Sequence, residues 1–201
     1  MIFSAIVPNW PILAAEPEDV DARVARVEQM VERHIDAVWR TARALGVVPR
    51  DLEDVAQEVL IVCVRRLQDI DPARERGFLL ATTARVVANW RRGRRRRPAE
   101  PVESIDDLSQ QAPFGAVPAR DPAEALEHKR ELLLVQAALE QMNDDQRVVF
   151  TLFEIEGLSA REIAEEMGLS ESVVFSRVQR ARALFHRHVA RARAAARGGA
   201  A

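Results

Sequence analysis

The stretch that decides the fold runs from Asp144 to Phe185, DDQRVVFTLFEIEGLSAREIAEEMGLSESVVFSRVQRARALF. It reads as three short helices joined by two tight connections. Ser159-Ala160-Arg161-Glu162 is a capping box, in which the serine hydroxyl accepts from the Glu162 amide and the glutamate reaches back. Ile163, Ala164 and Met167 follow as a narrow apolar stripe at helical spacing, and Gly168 stands where a helix end favours positive φ. Ser170 caps the next helix, whose inner face is Val174, Val178, Ala181 and Phe185. Helix, glycine-containing turn, helix is the helix-turn-helix pattern.

In such a unit the second helix enters the major groove with its N-terminal residues against base edges. With Val174, Val178 and Ala181 inward, Ser172, Ser176, Gln179 and Arg180 face out, flanked by Val173 and Arg177. Short polar side chains allow close approach, and arginine reaches guanine or phosphate. Seven arginines stand against one acid from Glu171 onward, which favours DNA over a merely solvated helix face.

The whole chain, 201 residues with 48% hydrophobic and 30% charged residues, has the composition of one or two soluble domains. It contains no tyrosine and few β-branched runs, and both features favour helix. A net charge of −2 argues against nucleic acid only until the charges are located. Arg85 to Arg97 holds seven arginines and no acid, whereas Ala99 to Glu127 holds seven acids and one arginine. Local charge, not the sum, sets the field a phosphate meets.

Cys63 is the sole cysteine, which excludes an internal disulfide and a cysteine-rich zinc site. His34, His128, His186 and His188 make no ligand pair, and no nucleophile–base pair or phosphate-cradling glycine loop occurs. No catalytic residue, metal or cofactor is therefore expected, and an enzyme is disfavoured. The opening MIFSAIVPNWPILAA lacks a basic start and is broken by Pro8 and Pro11, so neither a signal peptide nor a membrane span is expected. The expected location is the cytoplasm.

The N-terminal half is helical too. Val24, Val27, Val31, Ile35, Val38 and Trp39 keep helical spacing until Gly46 and Pro49. Asp51 is placed to cap the next helix, DLEDVAQEVLIVCVRRLQDI, which is expected to stop near Asp71-Pro72. Val55, Val59 and Val62 share one side of it; Asp54, Gln57, Glu58 and Ile61 share another. A loop with Pro72 and Gly77 leads to FLLATTARVVANWRRGRRRR, an amphipathic helix through Leu80, Val87 and Trp90 that ends in an arginine run. At the end of an apolar helix, that run is suited to phosphate.

Taken in order, DLEDVAQEV, FLLATTARVVANWRR with its arginine run, a linker, and LEQMNDDQRVVFTLFEIEGLSAREIAEEMGLSESVVFSRVQRAR resemble a bacterial sigma factor. More narrowly, the chain resembles the small extracytoplasmic-function class of the sigma-70 superfamily, over roughly Val24 to Arg187. The resemblance implies an all-α fold of two helical domains, regions 2 and 4, and a role in directing RNA polymerase to promoters.

Asp54, Gln57, Glu58 and Ile61 fall on the motif that, in this family, docks on the clamp helices of the polymerase β′ subunit. The loop Ile70 to Gly77 and the helix with Arg85, Asn89, Arg91, Arg92, Arg94, Arg95 and Arg96 match the part that opens and reads the −10 element. Ser172, Val173, Ser176, Arg177, Gln179 and Arg180 match the reader of the −35 element. Partners implied are core polymerase and promoter DNA, with an anti-sigma protein as an optional third. Leu79 departs from a common tryptophan, and Val86 from asparagine or arginine. Val173 replaces a usual threonine and Phe175 a usual lysine, and Phe175 is expected to pack on its neighbours. These departures bear on promoter sequence more than on class.

The expected organisation is an extension (1–19), a first helical domain (20–97), an acidic linker (98–124), a helix-turn-helix domain (125–190) and a disordered tail (191–201). The family's linker threads the polymerase toward the RNA path, and the acidity of this one suits a basic channel. Two other classes stay open. One is a helix-turn-helix regulator or degenerate sigma-like protein that does not deliver polymerase. The other is an adaptor whose basic faces hold an acidic protein.

Overall fold

The computed structural model describes residues 17–96 and 122–198. Among these residues the fold is all-α, with no strand, as expected. The first unit is α1 (Pro17–Ala44), α2 (Leu52–Arg65) and α3 (Glu75–Arg96); the second is α4 (Pro122–Glu140), α5 (Asp144–Phe150), α6 (Ala160–Met167) and α7 (Glu171–Gly198). A π-helical turn, Thr151–Ile155, follows α5 directly. The acidic linker lies largely outside the described residues, though α4 already begins at Pro122, a first-turn position where the missing amide is no loss.

The first core is built from the faces that periodicity picks out. Val27 and Val38 of α1, Val55, Val59 and Cys63 of α2, and Val87 of α3 are all buried together. Leu79 and Val86 lie in the same core, so neither departure from the family pattern alters an exposed surface. Trp39, which keeps helical spacing with these valines, is 41% exposed. Gly46 ends α1 at φ +92°, and a side chain there would also meet the Arg147 guanidinium at 3.2 Å. The positive φ favours glycine, and an added Cβ would in addition press on the end of Arg147.

Two helix ends differ from expectation, and one side chain bridges them. α2 stops at Arg65, five residues short of Ile70, and α3 starts at Glu75, before Gly77 rather than after it. Arg26 of α1 donates to the carbonyl oxygens of Leu67 (3.0 Å) and Ile70, in the turn that stands where the end of a longer α2 was expected. The same guanidinium meets Glu75, which Arg33 also approaches at 3.5 Å, and so fixes the start of α3. Asp51 stands at the N-cap of α2, but its side chain does not accept the cap hydrogen bond. At the other end of the chain, α7 runs on to Gly198 where a disordered tail was expected. Alternating alanine and arginine, both strong helix formers, account for it.

The helix-turn-helix carries every local device its sequence announces. The Ser159–Glu162 capping box is complete, and Gly168 is left-handed at φ 67°. Ile163, Val174, Val178 and Ala181 are buried. Ser159→Ala should cost about 1 kcal/mol of stability, measured by thermal or denaturant melts. The Glu162 carboxyl is held below its usual pKa, first by the Ser159 hydroxyl and then by the Ser159 amide. A depressed carboxyl pKa gives stability present above its unfolded value and lost as pH falls through the folded one. The cost of Ser159→Ala should accordingly shrink in acid.

The two units are packed on each other. α3 lies against α6, and α1 against the π turn. Ala37 of α1 and Leu80 of α3 join the core of the second unit, alongside Leu152, Leu158 and Ile163. Ala44 does the same with Leu139 and Met142.

Candidate nucleic-acid interface

α2 turns two unlike faces outward and inward. Val55, Val59 and Cys63 are buried, while Asp54 and Glu58 are exposed, Gln57 is half-buried and Ile61 is 36% exposed. Residues three and four apart share a helix face, so these four form one acidic ridge with an aliphatic end. Asp54 also sits in the first turn, where a carboxylate is favoured by the helix dipole.

On α3, Arg85, Asn89 and Arg92 are exposed and Arg91 is half-buried, with Val86 and Val87 turned inward. Arg92 donates to the Asn89 amide oxygen, tying two of the expected DNA contacts together. Arg94, Arg95 and Arg96 lie on the last helical turn of α3; their side chains lie outside the described residues. The backbone there is helix.

On α7, Ser172, Val173, Ser176, Gln179 and Arg180 are exposed along one side. Arg177 is partly covered, and its guanidinium meets Asp145 of α5 at 2.7 Å. Ser170 and Ser172 share a hydrogen bond of 3.0 Å at the helix start. Phe175 packs edge-on against Phe153, ring centres 6.3 Å apart, as expected, yet stays 49% exposed. Its outer edge adds an apolar spot to an otherwise polar start of the helix.

Arg85, Asn89, Arg92 and Arg177 are brought to one cleft of about 320 Å³, whereas the acidic ridge of α2 is not part of it. Partners that sequence reasoning missed complete the picture. Arg91 is paired with Asp144 at 2.7 Å, and Arg85 donates to the Glu166 carbonyl. Glu156 takes Arg40 and Arg76, each at 3.0 Å. None had a local signal, because each partner lies tens of residues away. Among the described residues no cluster of His, Cys, Asp and Glu could hold a metal ion. No helix there is long and apolar enough to cross a membrane.

Known proteins resemble the chain in both units. Residues 30–97 match the family model for sigma-70 region 2, and residues 132–185 match that for sigma-70 region 4. The chain is 33% identical over 159 residues to the ECF RNA polymerase sigma factor SigE of Mycolicibacterium smegmatis, covering 77% of this chain and 58% of that protein. It is 32% identical over 174 residues to the RNA polymerase sigma factor CnrH of Cupriavidus metallidurans, covering 86% of this chain and 90% of CnrH. Among solved structures, CnrH in complex with the cytosolic domain of CnrY superposes with a TM-score of 0.56 at 26% identity, over 80% of this chain and 84% of that one.

Proposed function

Because this chain belongs to the sigma-70 family of RNA polymerase sigma factors, in its extracytoplasmic-function class, we propose that it carries core polymerase to promoters and starts transcription there. The observation that carries the proposal is the coexistence of an exposed acidic ridge on α2 with two arginine-bearing helices, α3 and α7, in one chain. A DNA-binding regulator needs the arginines but has no use for the ridge.

Asp54, Gln57, Glu58 and Ile61 would dock on the β′ clamp helices, the acids opposite basic side chains and Ile61 against apolar surface. Arg85, Asn89, Arg91, Arg92 and Arg94 to Arg96 would open and read the −10 element. Ser172, Val173, Ser176, Arg177, Gln179 and Arg180 would read the −35 element. The role is one of binding and strand opening; bond formation belongs to the polymerase, and no cofactor is invoked. The place of action is the cytoplasm, where the template is. CnrH was solved with the cytosolic domain of CnrY bound, and on that likeness a protein of the anti-sigma kind is proposed as a third partner.

The decisive experiment is transcription in vitro with purified core polymerase and genomic fragments, followed by mapping of start sites. Defined starts that need this chain support the proposal. Their absence, with DNA binding intact, favours the regulator. Within that assay, Arg177→Ala should affect promoters unequally. On an ordered helix a bidentate arginine discriminates its guanine by about 1–3 kcal/mol, and Asp145 fixes the direction of this one. The check is holoenzyme binding to two promoters that differ only at −35. Equal losses would make Arg177 a phosphate contact.

A further inference from the structure

We infer that Phe175 is a specificity-determining residue of α7, reading the methyl group of a thymine in the major groove of the −35 element. The inference rests on the assignment of α7 to that element and adds a contact that the assignment does not contain.

Phe175 stands in the second turn of α7, among the exposed Ser172, Ser176 and Gln179, and is itself exposed. The ring is not left loose. One edge meets Phe153 of the π turn, with ring centres 6.3 Å apart and planes inclined at 67°. Phe153 in turn packs on the buried cluster of Leu152, Ile163 and Val178. The Arg182 guanidinium lies 5.6 Å from the centre of the Phe153 ring and donates to Glu154 at 2.5 Å. Core, Phe153 and the Arg182–Glu154 pair thus brace a phenyl ring whose other edge is bare. A side chain already confined in this way gives up little further freedom when a ligand covers it.

The place of the ring on the helix decides what it can meet. At about 100° per residue, Phe175 lies about 100° to one side of the buried Val174, whereas Arg177 and Arg180 lie about 60° and 120° to the other. The contacts agree: Phe175 touches the π turn, and Arg177 touches Asp145 of α5. Between the two flanks stand Ser172 and Ser176, too short to hold a duplex away, and the Ser172 hydroxyl is already engaged with Ser170 at 3.0 Å. One turn before Phe175 comes the acidic Glu171, so this flank is no grip for phosphate. The arginine flank suits guanine. The phenyl flank suits the apolar group that base edges offer in the major groove, the thymine methyl.

The test uses holoenzyme and a promoter whose start has been mapped. Each thymine of the −35 element, on either strand, is replaced in turn by deoxyuridine, which removes the methyl and keeps the hydrogen-bonding edge. At one or two positions the replacement should weaken binding about fourfold, the worth of burying one methyl. Phe175→Ala should lose at least as much on the thymine promoter and be indifferent to uridine at those positions, because the two changes delete one contact. Phe175 belongs to neither core of the second unit, so the variant should fold. Should it melt early, Phe175→Lys must show the same indifference. A parent indifferent to uridine at every position, a variant that keeps the uridine penalty, or a −35 element with no thymine on either strand would overturn the proposal. So would a loss of affinity for core polymerase by Phe175→Ala in the absence of DNA, which would make the ring a protein contact. A chain that directs no start site defeats the sigma-factor assignment separately. The uridine scan is then run on duplexes that the full chain selects from random sequence, and the same outcomes decide it.

Discussion

Asp54→Lys/Glu58→Lys should weaken binding to core polymerase by about thirtyfold or more while leaving the fold in place. Truncating one partner of a close interfacial charge pair costs about 2–5 kcal/mol, and reversal adds repulsion to that loss. Neither side chain supports the core, which lies on the opposite face with Val55, Val59 and Cys63. The structural cost is confined to the helix start. Asp54 occupies the first turn of α2, where exchanging a favourable for an unfavourable charge is worth about 1 kcal/mol, or about 2–4 °C in melting temperature. Competition binding with labelled core enzyme, read beside a thermal melt, separates the two effects. A double variant that binds polymerase as well as the parent would remove α2 from the interface.

Glu75→Ala should be among the most destabilising single changes available in the first unit. Its carboxylate is 2% exposed and is met by Arg26 at 3.3 Å and Arg33 at 3.5 Å. Breaking a fully buried pair by deleting one partner costs about 3–5 kcal/mol. Arg26 retains 30% of its side-chain surface, and the stranded guanidinium can turn partly to water, so about 2–3 kcal/mol is expected. That corresponds to a melting temperature lower by about 5–10 °C. The change should reach beyond stability, because Arg26 also holds the carbonyls of Leu67 and Ile70. The turn between α2 and α3 would loosen, and with it the segment Ile70 to Gly77 assigned to strand opening. A thermal melt together with permanganate footprinting of the opened promoter checks both. An unchanged melt would show that Arg26 and Arg33 are indifferent to the acid.

What the sequence made legible was what its neighbours enforce. The helix-turn-helix could be read because its cap, glycine and apolar stripe act within a few residues of each other. Ser159 and Glu162 need no distant partner to announce a helix start. The ends of α2 and α3 could not be read the same way. The turn between them is held by Arg26, which lies 41 residues before Leu67 and 49 before Glu75. No periodicity encodes that reach, and Pro72 and Gly77 suggested a loop that begins and ends later in the chain.

The docking of the two units was hidden for a related reason. Arg40 and Glu156 are 116 positions apart, and each looks like an ordinary surface charge beside its sequence neighbours. Leu80 and Ile163 were each legible as core residues, but not as members of a shared core. Arg91 and Arg85 read as open phosphate ligands because their acidic and carbonyl partners come from the other unit.

Cys63 leads to a separate point. Buried at the centre of the first core, its thiol is pushed up to about 12 by desolvation. The thiolate is the form that oxidants and electrophiles attack. At neutral pH only about one molecule in 10⁵ would carry it, behind a wall of packed valines. This sequence has no other sulfhydryl. In the folded chain, thiol oxidation therefore has no reactive cysteine to act on, and Cys63 serves the first core as a small apolar side chain.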